Sequence, residues 1–186
     1  MAELKESPSQ TAGPYVHIGC MPKVAGLKGM YGDKDAGEAM ITGPVSAPKI
    51  ALTFKVLDGS GEPLKDAMLE IWQAGPEGAF GETENFANWG RQPTDYDTGL
   101  VRFETVKPGA IGDQAPHILV WIVARGINLG LTTRLYFEDE VEQNKTDPVF
   151  QLAGARAATL VAKKTSDGYH HDIHLQGDLE TVFFDV

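Results

Sequence analysis

His117 stands at the head of an apolar run, His117-Ile118-Leu119-Val120-Trp121-Ile122-Val123-Ala124. The turn-rich stretch Lys107-Pro108-Gly109-Ala110-Ile111-Gly112-Asp113-Gln114-Ala115-Pro116 precedes it. Strand side chains repeat every second residue, so a His-x-His pair here would aim two imidazoles at one metal ion. The second position is Leu119. One imidazole holds a transition metal only where other N, O or S donors converge on it. The stretch therefore has the frame of a metal-binding strand without its donors. A second cluster, His170-His171-Asp172-Ile173-His174, would put His170, Asp172 and His174 on one strand face. Two imidazoles and a carboxylate could hold a metal there, or form a solvated polar face opposite His171 and Ile173. Arg134 reads by itself as a structural ion pair with Glu138, Asp139 or a partner chain.

These residues need strands to position them. Ile50–Asp58, Ala67–Gln73, Leu100–Val106, His117–Ala124, Thr133–Phe137, Thr159–Lys164, His171–Gln176 and Thr181–Phe184 all carry strand patterns bounded by turn residues. Asp58-Gly59-Ser60-Gly61 reads as a turn, and the acidic run Glu138–Glu142 as a short helix or solvated face. About eight short strands with Gly-rich turns predict an all-β fold, a single β-sandwich with long loops. Residues 1–48 hold Pro8, Pro14, Pro22, Pro44 and Pro48 among many glycines and lack periodicity. They read as an extended N-terminal arm, with the sandwich domain spanning 49–186. Trp72, beside Leu69 and Ile71, is expected to pack in a core or interface rather than stack a ligand.

Composition narrows the partners. The chain has 186 residues and a formal net charge of -10. That balance argues against nucleic acid or an anionic membrane, which need clustered Lys and Arg. One well-placed arginine can still hold a small anion. The single cysteine, Cys20, permits no internal disulfide and fits a reducing compartment. No apolar run approaches the roughly 20 residues of a membrane span, and Met1–Glu6 has no apolar signal core, so a cytoplasmic location is expected. No Gly-rich phosphate loop follows a strand.

Five motifs in order carry a family resemblance: Thr11-Ala12-Gly13-Pro14-Tyr15, Leu69-Glu70-Ile71-Trp72-Gln73-Ala74, Val106-Lys107-Pro108-Gly109, Ala115-Pro116-His117-Ile118 and Thr133-Arg134-Leu135-Tyr136-Phe137. Together they resemble the intradiol ring-cleaving dioxygenases. The likeness covers Pro8–Gly19 and nearly all of 49–186. The ending Gln176–Asp185 is especially similar to the α chains of the family's two-chain members. The resemblance implies two tyrosinates and two histidines around Fe(III) in the iron-bearing chain. Phe80 falls at the first tyrosine, Ile111 at or beside the second, His117 at the first histidine and Leu119 at the second. It follows that this chain carries no iron or catalytic group of its own. Fe(III) is then held by a homologous β subunit, and a higher αβ oligomer is expected. The implied substrates are protocatechuate and dioxygen, the product 3-carboxy-cis,cis-muconate, in aromatic catabolism. The resemblance places Thr11, Gly13, Pro14, Tyr15 and Arg134 at the substrate pocket. For Thr11 a turn or cap hydroxyl serves as well, and for Tyr15 an aromatic anchor at an interface. Two other functions stay open: a non-catalytic ligand-binding or assembly sandwich with a decayed metal site, and an enzyme with its own metal at His117 and the 170–174 histidines.

Overall fold

The structure is a computed structural model that describes residues 11–30, 32–81 and 83–185. Met1–Glu6 and Pro8 lie outside the described residues. The strands are β1 (Lys49–Leu57), β2 (Met68–Gln73), β3 (Trp89–Pro93), β4 (Leu100–Val106), β5 (His117–Val123), β6 (Leu131–Phe137), β7 (Val161–Lys164) and β8 (Gly168–His174). The helices are α1 (Pro14–Cys20), α2 (Val141–Thr146) and α3 (Pro148–Leu152), with a 3-10 helix over Gly154–Leu160.

All eight strands join in one ladder, in the order β3-β2-β5-β6-β7-β8-β1-β4. The β1/β8 and β6/β7 pairs are parallel and the others antiparallel. The ladder folds over on itself, because a single core cluster takes side chains from its two halves. Leu69 and Ile71 of β2, Ile118, Val120 and Ile122 of β5, and Leu135 and Phe137 of β6 meet Leu52, Phe54 and Val56 of β1, Phe103 of β4 and Ile173 of β8. Most of these side chains are wholly buried. Burying a Leu, Ile or Phe removes enough apolar surface to contribute about 1.5–3 kcal/mol each. The two-residue period thus sets both faces of β5. Ile118, Val120 and Ile122 point into the sandwich, while His117, Leu119 and Trp121 belong to its outer face.

Some expected elements differ. The β3 segment, Trp89-Gly90-Arg91-Gln92-Pro93, was not anticipated, since Gly and Pro depress strand propensity. It forms at the end of the ladder, paired only with β2, where a terminal Pro93 leaves no ladder bond unmade. Thr181–Phe184 is not a strand. It is tied by single bonds, Thr181 N–H to the His174 carbonyl (2.9 Å) and Phe184 N–H to that of Thr132 (2.8 Å). The short helix begins at Val141, because Glu138 and Asp139 are held by Lys163, Lys164 and Lys107. The arm contains a helix: Pro14 presets the first turn of α1, and Met21 N–H closes it on the His17 carbonyl (2.8 Å). Seven residues are too few for a stable isolated helix. It is held by packing, with Ala12, Val16, Cys20 and Met21 against Met68, Trp121 and Val123 on the outer face.

Candidate functional site

The outer face of β2, β5 and β6 is partly covered at both ends. The arm and α1 lie over Met68 and Val123. At the other end Phe150 of α3, Leu160 and Val182 pack on Tyr136. Between them the sheet presents Trp72, Leu119 and Arg134 in adjacent register positions. Trp72 is 46% exposed and tilted 43° against Trp89 at 5.7 Å, while Arg91 sits over the Trp89 ring and pairs with Glu70 (2.6 Å). Trp72 therefore packs within a surface aromatic pair rather than in the core.

Arg134 is half-buried and opposite Leu119. Its Nη1 donates to Gln114 Oε1 (2.8 Å) and lies 3.5 Å from the Tyr136 hydroxyl. The carboxylates that could have neutralised it are engaged elsewhere. Glu138 pairs with Lys163 (3.0 Å), and Asp139 with Lys107 (2.9 Å) and Lys164 (3.0 Å). Among the described residues Arg134 has no ion-pair partner. A guanidinium clasped by neutral acceptors keeps its charge for an incoming anion.

Tyr136 in turn donates to Oδ1 of Asp147 (3.2 Å). Asp147 is wholly buried and caps α3, accepting from Val149 N–H (2.7 Å) and Phe150 N–H (2.9 Å). Its Oδ2 accepts from Ala115 N–H (2.8 Å). The Ala115 carbonyl lies 2.8 Å from Nδ1 of His117, whose ring is 5.8 Å from that of Tyr136. Burial lowers the His117 pKa, and the nearby Arg134 charge acts the same way. Burial pushes the Tyr136 phenol up to about 12. His117 is thus a nearly buried, hydrogen-bonded imidazole within the Arg134 network.

Phe80, Ile111, His117 and Leu119, the positions the resemblance sets against the family's ligands, lie on two loops and on β5. Phe80 is on the loop after β2 and Ile111 on the loop after β4. Those loops are pressed together. The Gly109 N–H bonds the Gly75 carbonyl at 2.9 Å. A Cβ on Gly78 would stand 1.9 Å from the Ala110 carbonyl oxygen, and one on Gly109 2.3 Å from that of Pro76. Ile111 and Gln114 then bridge across a tight turn that leads into β5. Phe80 is 64% exposed and lines a groove of about 410 Å³ with Val45, Ala47, Pro76, Phe86 and Val106. The donors do not fit Fe(III): phenyl and alkyl groups occupy three positions, and His117 has one nitrogen near a backbone carbonyl. No group of three or more His, Cys, Asp or Glu among the described residues could hold a metal ion.

The second histidine cluster has the polar arrangement of a solvated strand face. His170 lies 2.9 Å from Thr53 Oγ1 and 3.0 Å from Asp172 Oδ1, while His171 and Ile173 are buried.

The arm residues do not converge with Arg134. Thr11 Oγ1 accepts from Gly126 N–H (2.9 Å), which fastens the arm to the loop after β5. Gly13 is the extended N-cap of α1 and Pro14 its first residue. Tyr15 is 85% exposed. Both groups lie on the same outer face of the sheet, in separate patches. Sequence reasoning missed Gln114, Tyr136 and Asp147. Tyr136 stands two residues after Arg134 on one strand, so alternation alone places both on one face. Asp147-Pro148 is a helix-start signal.

No family model matches the chain. The protocatechuate 3,4-dioxygenase alpha chain of Pseudomonas putida is 41% identical over 197 residues, covering 98% of this chain and 97% of that one. The protocatechuate 3,4-dioxygenase beta chain of Burkholderia cepacia is 29% identical over 181 residues, 80% of this chain and 76% of that one. Among solved structures, the dioxygenase domain of a dioxygenase carbohydrate-binding protein fusion from Streptomyces sp. SirexAA-E superposes with a TM-score of 0.58 at 27% identity, covering 73% and 83% of the two chains. Likeness to an alpha chain end to end, joined to this fold and these donor-poor positions, means that the chain belongs to the protocatechuate 3,4-dioxygenase alpha-chain family of intradiol dioxygenases.

Proposed function

We propose that the chain is the metal-free subunit of a two-chain enzyme that opens the ring of protocatechuate between its two hydroxylated carbons, using dioxygen. A homologous partner of beta type supplies Fe(III) and the reacting centre. This chain supplies scaffold, interface and one wall of the substrate pocket. The observation that carries the reading is Arg134, a half-buried guanidinium with two neutral acceptors and no carboxylate partner among the described residues. Protocatechuate bears a carboxylate as well as its two hydroxyls, and a fixed planar donor matches that group. Residues 1–48 serve as the arm, and Thr11, Gly13, Pro14 and Tyr15 line the pocket only once the partner is docked. A cytoplasmic enzyme fits the single unpaired cysteine. No helix of the described residues is long and apolar enough to cross a membrane.

Expression with and without the partner tests this. Purified alone, the chain should contain no stoichiometric iron by metal analysis and leave protocatechuate intact. Coexpressed with a beta-type chain, it should copurify in a coloured complex that consumes protocatechuate and dioxygen. Iron and ring cleavage in the chain by itself would refute the proposal.

A further inference from the structure

We propose that Tyr136 and Asp147 are positioning residues for Arg134: Asp147 accepts the Tyr136 hydroxyl hydrogen bond, so the phenol oxygen faces Arg134 as an acceptor and holds the guanidinium ready for a carboxylate. The inference rests on the substrate reading above.

The direction of this relay follows from donor counting. A tyrosine hydroxyl has one proton to give, and an arginine only donates. The Tyr136 proton is spent on Asp147 Oδ1 at 3.2 Å. Its oxygen is then left with only lone pairs toward Arg134 Nη1, 3.5 Å away. Gln114 Oε1 completes the clasp at 2.8 Å. Asp147 itself is prevented from reaching the guanidinium. It is wholly buried, and three backbone N–H groups from Ala115, Val149 and Phe150 hold it at 2.7–2.9 Å. A negative group thus orients the arginine through a neutral intermediary without cancelling its charge. The Tyr136 ring cannot swing away, since the Phe150 ring lies edge-on at 4.9 Å and the His117 ring at 5.8 Å. High burial also keeps the phenol protonated, with its pKa near 12.

The test uses the assembled complex with its iron-bearing partner. Tyr136→Phe keeps the ring and removes the hydroxyl. It should raise KM for protocatechuate by about 3- to 10-fold with kcat within about two-fold, the scale of one lost hydrogen bond. Catechol, which lacks the carboxylate, should keep its KM. In an Arg134→Ala background, Tyr136→Phe should add nothing, because both changes act through one group. Gln114→Glu provides a second route that leaves the buried network intact. It sets a carboxylate against Arg134 and should raise KM for protocatechuate selectively. The inference is overturned if Tyr136→Phe leaves protocatechuate KM unchanged. It is overturned too if KM rises equally for both substrates and adds fully to Arg134→Ala. Should Arg134→Ala itself leave KM unmoved, the substrate reading fails first.

Discussion

Arg134 is the residue on which the proposed chemistry turns, and its surroundings set the size of the effect to expect. An arginine locked to a buried carboxylate would have little charge to offer, and its removal would orphan that acid. Here the acceptors are an amide and a phenol, which survive without it. Arg134→Ala should therefore leave the thermal midpoint of the complex nearly unchanged. It should raise KM for protocatechuate by an amount on the order of 1–3 kcal/mol, with a smaller fall in kcat. Arg134→Lys should recover only part of the loss, since an ammonium cannot meet a carboxylate in a planar fork. Steady-state kinetics on the assembled complex decide the matter, and an unchanged KM would make Arg134 an assembly residue. The family motif singled out Arg134 as a candidate, but its clasp was not legible from sequence. Gln114 reaches it across a turn and Asp147 through a second residue, and neither relation follows a strand period. The separate arm motif, Thr11–Tyr15, is what sets Thr11 at the pocket. In the single chain its hydroxyl is occupied with Gly126 N–H.

At the scale of elements, the loops that carry Phe80 and Ile111 are pressed together backbone to backbone. Their contact depends on glycine, because backbone lies where a side chain would begin. Gly78 has φ +73° and no space for a Cβ, whereas Gly112, φ +59°, has nothing within 4 Å. Gly78→Ala should thus cost at least about 2 kcal/mol through strain and displacement of the 108–111 loop. For a chain of this length that lowers the thermal midpoint by roughly 4–8 °C. Gly112→Asn should shift it little, since Asn tolerates the left-handed region and meets open space. Equal shifts in the two variants would mean the loop contact does not hold the two loops in place. Elements with clear alternation, such as β1 and β4, were legible because one face of each is buried, and β5 because its apolar run is bounded by turn residues. The β3 segment and α1 were not, since neither has enough intrinsic propensity to announce itself. Trp89–Pro93 is recruited by pairing with β2, and α1 by apolar contact with Met68 and Val123.

Across the whole molecule, the two halves of the ladder close over one apolar core, and the alternation of the strands was enough to foresee that sandwich. A charge-bearing group inside it was harder to foresee. His171 of β8 is 4% exposed, with its ring edge-on to Phe54 at 6.3 Å. Its Nε2 has no hydrogen-bond partner among the described residues. Burial brings its pKa down to about 4 from an ordinary 6.5, and the nearby Asp172 carboxylate offsets that only in part. The unfolded chain therefore binds the proton first as pH falls. Stability is full above about pH 6.5 and declines through the window down to about 4, by something on the order of 3 kcal/mol. His117, also lowered by burial, adds in the same direction. The depressed carboxylates Asp58, Asp95 and Asp167 add their own loss only in more acidic solution. Urea midpoints of the purified chain at pH 7, 5.5 and 4.5 should fall across that series. His171→Leu, which suits an apolar site of similar volume, should hold or raise the midpoint at pH 7 and flatten the decline. An equally steep acid limb in His171→Leu would locate the titrating group elsewhere in the fold.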